Sequence, residues 1–181
     1  MKKYMVLVLL LALAGCLLCA GGCGSDTSQA KSDLKQGDTL MGEISTQFGE
    51  LGAKLSNINT EVTNTTEAAN AVRQIEEFST LLTASISKAK AQFGKVKSLK
   101  GVADYQKYAD LQVKILDNMK TLTTKLNAFL GGLVGVIQSS AGTQDQVNAL
   151  QNQFQLEAQG ITDTISKLAA EANKLKKDKN L

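Results

Sequence analysis

The sequence has no proline, no histidine and no tryptophan, and its three cysteines, Cys16, Cys19 and Cys23, all stand within the first 23 residues. Each absence excludes a class of chemistry. Without histidine there is no imidazole acid or base, no imidazole metal ligand and no Ser-His-Asp triad. Beyond residue 23 there is no thiol for a disulfide, a thiolate metal site or a cysteine nucleophile. Helical bundles that hold two irons use Glu-x-x-His pairs, which this chain lacks the histidine to build. The segment Ser85-Ile86-Ser87-Lys88 fits the S-x-x-K pattern of penicillin-recognising serine enzymes, but the S-D-N and K-T-G elements that must accompany it do not occur. The reading is therefore of a chain that is not an enzyme, with no catalytic residue, no metal ligand and no cofactor assigned. The missing proline also favours long uninterrupted helices, because a proline inside a helix removes a hydrogen bond and clashes with the preceding turn.

The first residues read as an address. Met1-Lys2-Lys3-Tyr4 is a short basic stretch, and residues 5–14 (MVLVLLLALA) are apolar, the pattern of a bacterial secretory signal. An uncleaved membrane helix is the competing reading of residues 5–22, a stretch about long enough for a short span.

Leu13-Ala14-Gly15-Cys16 resembles the lipobox of bacterial lipoproteins. The resemblance implies cleavage before Cys16 and acylation of its sulfur. Ala20-Gly21-Gly22-Cys23 is a looser match that makes Cys23 the alternative site and residues 1–22 the alternative signal. The resemblance covers the signal alone, and the body resembles no family. Acyl chains on one cysteine hold a chain at a membrane, since each buried methylene contributes roughly 0.8 kcal/mol.

After a small polar stretch, apolar residues recur at heptad spacing in four segments. Leu34, Met41, Phe48, Leu55 and Val62 are seven apart, with Ile44, Leu51 and Ile58 between them. A second segment carries Ile75, Leu82, Ala89 and Val96, flanked by Phe78, Ile86 and Phe93. A third carries Tyr108, Ile115, Leu122, Phe129 and Val136, and a fourth Val147, Phe154, Ile161, Leu168 and Leu175, widened by Ala158, Ile165 and Ala172. Such spacing predicts amphipathic helix.

The breaks are chemically distinct. Asn and Thr crowd residues 57–66, where helix propensity is poor and Asn64 can cap a following helix. Lys100-Gly101 reads as a helix end. Gly142 closes the third segment, and Thr143 with Gln146 makes a capping box that opens the fourth.

The expected organisation is a signal at residues 1–15, an acylated tether at 16–30, a helical bundle at 31–178 and a short tail at 179–181. The fold class is all-α, an up-down-up-down four-helix bundle. The alternative is a three-helix coiled coil in which residues 32–99 form one long helix.

Charge gives the expected bundle a polarity. Counted from Cys16, there are 18 basic and 17 acidic residues, the 20 and 17 of the whole chain less Lys2 and Lys3. That balance gives no bulk attraction for nucleic acid. The lysines are uneven, however. Lys95, Lys97, Lys100, Lys174, Lys176, Lys177 and Lys179 all fall at the end where the tether enters, and form an expected basic patch facing a membrane. The far end is rich in neutral polar residues, among them Gln144, Gln146, Asn148, Gln151 and Asn152.

Residues 128–137 (AFLGGLVGVI) are the most apolar stretch of the body, and Gly131 with Gly135 makes a G-x-x-x-G pair that allows close helix contact. The expected role of these glycines is a tight helix crossing.

These features predict a lipid-anchored interaction or spacer module of the bacterial cell envelope. It would sit on the outer face of the cytoplasmic membrane or on the outer membrane, with an envelope protein or peptidoglycan as possible partner. Two other readings remain: a self-associating coiled coil similar to the murein lipoprotein, and a membrane-active, toxin-like component using residues 128–137.

Overall fold

The computed structural model of the chain describes residues 25–56, 65–139, 142 and 144–181. The signal, with Cys16 and Cys23, and the expected turn at 57–64 lie outside the described residues, as does Thr143. Among the described residues there are four helices and no strand: α1 (Ser25–Ser56), α2 (Thr65–Lys97), α3 (Ala103–Gln138) and α4 (Gln144–Lys179). They form an all-α four-helix bundle in which each helix packs on the next, and α1 also reaches α3.

Cross-helix pairs fix the directions. Gly37 meets Phe93 and Lys54 meets Phe78, so α1 and α2 run antiparallel. Lys97 pairs with Asp110 and Lys90 with Asp117, which sets α2 against α3. Lys179 pairs with Asp104 and Lys125 with Glu157, which sets α3 against α4. Because α1 and α2 lie side by side, residues 32–99 are not one helix, and the three-helix alternative falls.

The heptad rows supply the core. Leu34, Ile44, Phe48 and Leu51 of α1 are buried against Ile75, Leu82, Ile86, Phe93 and Val96 of α2 and Tyr108, Ile115, Met119 and Leu126 of α3. Burying a large apolar side chain contributes about 1.5–3 kcal/mol, so these rows supply the main driving force for association of the helices. In α4 the order of rows is reversed. Ala158, Ile165 and Ala172, expected as flanking positions, are buried, while Phe154, Ile161, Leu168 and Leu175 are only partly so. Small side chains let α4 lie close to its neighbours and leave the larger ones at the edge of the contact.

The α2–α3 turn follows the sequence expectation. Gly101 has φ +72°, a left-handed conformation that a side chain would strain. Gln106 of α3 closes the turn by donating its Nε2 to the carbonyls of Leu99 at 2.8 Å and Lys97 at 3.1 Å, two acceptors otherwise orphaned at the end of α2.

Two expected boundaries are corrected. α1 begins at Ser25 and Ala30 is fully buried, so residues 25–30 belong to the bundle and not to a tether. Residues 179–181 are not a loose tail. Asn180 takes φ 51°, its N–H donates to the Lys177 carbonyl at 3.4 Å, and the Leu181 N–H donates to the Lys176 carbonyl at 3.1 Å. This is a Schellman stop, and its apolar residue Leu181 is buried in the core.

Candidate functional site

The end of the bundle where α1 begins, called the base, carries its most unusual chemistry. Two carboxylates of α1 are buried there: Asp33 is 3% exposed and Asp38 is 8% exposed. A buried charge is costly unless it is paired and hydrogen-bonded; Asp38 is both, and Asp33 is hydrogen-bonded to two side-chain amides.

Asp33 accepts from Gln92 Nε2 of α2 on Oδ1 and from Gln29 Nε2 on Oδ2, both at 2.9 Å. Gln92 is held in turn by Lys95, whose Nζ donates to Gln92 Oε1 at 2.7 Å. Asp38 accepts from Tyr108 Oη of α3 at 2.9 Å on Oδ1 and from Lys176 Nζ of α4 at 2.6 Å on Oδ2. The same ammonium lies 5.4 Å from the centroid of the Tyr108 ring. Asp33 thus ties α1 to α2, and Asp38 ties it to α3 and α4. All four carboxylate oxygens have partners, so the arrangement is a polar latch that fixes the register of α1.

The expected basic patch is divided by this geometry. Lys97 pairs with Asp110 at 2.6 Å, Lys176 with Asp38 at 2.6 Å and Lys179 with Asp104 at 3.3 Å. Lys95 is engaged with Gln92. These side chains are committed within the fold. Lys100, Lys174 and Lys177 are exposed and have no ion pair among the described residues. Outside the expected patch and at the same end, Lys35, Lys88, Lys107 and Lys167 are exposed and Lys31 is half-buried, and none of them has an ion pair among the described residues. The base (residues 25–40, 88–112 and 167–181) holds thirteen lysines against seven carboxylates, a net +6. The remaining described residues hold five basic against nine acidic groups, a net −4.

The glycine expectation is overturned. Gly131 and Gly135 are both exposed, and a β-carbon on either would meet nothing within 4 Å. They lie on the outer face of α3, because Leu126, Leu130 and Leu133 take the inner one. The glycine that does face a helix is Gly132, where a β-carbon would stand 3.2 Å from Leu150 of α4. Nor is residues 128–137 a free apolar tip. Leu130 and Leu133 are buried, and Phe129 stacks on Phe154 with centroids 5.1 Å apart. The closest helix contact in this family of positions is at Gly37, which the heptad pattern did not single out.

The far end of α4 presents Gln144, Gln146, Asn148, Gln151 and Asn152 on an exposed face that also carries Leu156, 76% exposed. Among the described residues there is no group of three or more acidic or cysteine side chains placed to hold a metal ion. No described helix is long and apolar enough to cross a membrane. Comparison with models of known families, with curated proteins and with solved structures finds no match to this chain.

Proposed function

We propose that this chain is a lipid-anchored, non-enzymatic helical-bundle protein of the bacterial cell envelope, acting as a spacer or interaction module. The observation that carries the reading is the lipobox-like Leu13-Ala14-Gly15-Cys16, with Cys23 as the second candidate, placed directly before a bundle whose described helices cannot span a bilayer. α1 starts two residues after Cys23 and nine after Cys16. An acyl anchor on either cysteine therefore tethers the bundle by its base, within roughly 30 Å at full extension of the intervening chain. The exposed amide-rich face of α4 lies at the opposite end and offers hydrogen bonds to a protein or peptidoglycan partner.

The test is metabolic labelling with a clickable fatty acid in a bacterium that expresses the full chain, followed by membrane fractionation. Label in the membrane fraction that is lost in Cys16→Ser supports anchoring at Cys16. Loss in Cys23→Ser instead supports anchoring at Cys23. Absence of label, or label that survives the double substitution, contradicts the reading.

A further inference from the structure

We propose that the base of the bundle rests on an anionic lipid surface through five lysines, Lys31, Lys100, Lys107, Lys174 and Lys177. This deepens the anchorage proposed above and rests on it for the direction in which the base faces.

The argument starts from what explains a lysine at each position. Cations at the last turn of a helix are favoured by the macrodipole, an effect confined to that turn. It accounts for Lys95 and Lys97 in α2 and for Lys176, Lys177 and Lys179 in α4. It gives no reason for Lys31, in the second turn of α1, for Lys107, in the second turn of α3, for Lys174, before the last turn of α4, or for Lys100, which lies in the turn after α2. Internal pairing does not account for them either. The acids Asp33, Asp38, Asp104 and Asp110 are taken by Gln92, Lys176, Lys179 and Lys97. The carboxylates left at this end without an ion pair among the described residues are Asp26, Asp33, Glu171 and Asp178, half as many as the eight lysines there that, Lys95 with its bond to Gln92 aside, also lack one.

The five come from three helices and one turn. Ammonium groups dispersed around one end of a bundle suit a diffuse negative surface, where each contributes about a fivefold effect on engagement. Attraction to such a surface fades within about 10 Å. At 1.5 Å per residue, Lys35, ten residues into α1, Lys88, nine before the end of α2, Lys167, twelve before the end of α4, and Lys114, Lys120 and Lys125, eleven or more into α3, lie about 13 Å or more from those helix ends and outside that range.

The test uses the full chain with vesicles of phosphatidylcholine alone and with vesicles that also contain phosphatidylglycerol. Lysine acetylation rates are read residue by residue by mass spectrometry. The expected result is that the five lysines react roughly fivefold more slowly on the anionic vesicles. Lys54, Lys114, Lys120 and Lys125 should react alike on both. The variant Lys100→Gln/Lys174→Gln/Lys177→Gln should keep its helical signal while Lys31 and Lys107 lose protection. Equal rates on the two compositions would overturn the proposal. So would equal protection of the far lysines, which means a bundle lying on its side, or protection by soluble glycerol phosphate without vesicles, which means a discrete anion site. Failure to sediment with neutral vesicles speaks against the lipid anchor alone, because protection on anionic vesicles is read separately.

Discussion

The ring of Phe93 occupies the space that a side chain at Gly37 would need: a β-carbon there would stand 2.6 Å from two of its ring carbons. Both residues are buried, so the ring has no room to withdraw. Gly37→Ala should therefore destabilise the bundle by about 1–3 kcal/mol, the usual cost of overpacking. Gly49→Ala is the control. Nothing lies within 4 Å of a β-carbon there, and it should gain up to about 1 kcal/mol from helix propensity. Urea denaturation of the two variants, followed by circular dichroism, reads both signs.

Lys176 and Lys179 sit three residues apart and both pair with an aspartate, yet their removal should have different effects. The Lys176–Asp38 pair is 22% and 10% exposed, and the Lys179–Asp104 pair is 49% and 47% exposed. Lys176→Met leaves a buried charge with Tyr108 as its remaining partner and should cost about 2 kcal/mol or more. Lys179→Met should cost about 0–1 kcal/mol. Equal losses in the midpoint of thermal unfolding would contradict the latch.

Ser79 is fully buried in α2, and its Oγ has no hydrogen-bond partner among the described residues. Ser79→Ala removes an unsatisfied hydroxyl and substitutes a better helix former. It should raise stability by about 1 kcal/mol, seen as a higher unfolding midpoint.

A base held at the membrane puts the far end well away from it. Helices of 36 residues span about 54 Å at 1.5 Å per residue. Energy transfer from a dye at Asp145 to acceptors at the bilayer surface should report a separation of about 50 Å. Strong transfer on anionic vesicles would mean that the bundle lies flat, and it would not serve as a spacer.

The four helices were legible because heptad rows depend only on sequence spacing, and buried residues such as Ile75, Leu82, Ala89 and Val96 fall on the expected row. The latch was not legible. Asp33 and Asp38 look like surface residues among Lys31, Lys35 and Gln36, and their partners Gln92, Tyr108 and Lys176 are 59, 70 and 138 positions away. A signal for Asp33 was present. It lies three residues after Ala30 and four before Gly37, in register with the buried seam. The glycine pair was misread because a spacing of four says that two residues share a face without saying which face. The buried Leu126, Leu130 and Leu133 decide that Gly131 and Gly135 point outward. The Schellman stop was missed because Lys179-Asn180-Leu181 reads as polar when the fate of Leu181 is unknown.

The intact mass of the chain purified from bacterial membranes tests the central claim most directly. The account predicts a mature chain that begins at Cys16 or Cys23 and carries added acyl mass. A chain that retains residues 1–15 and carries no acyl mass would contradict it.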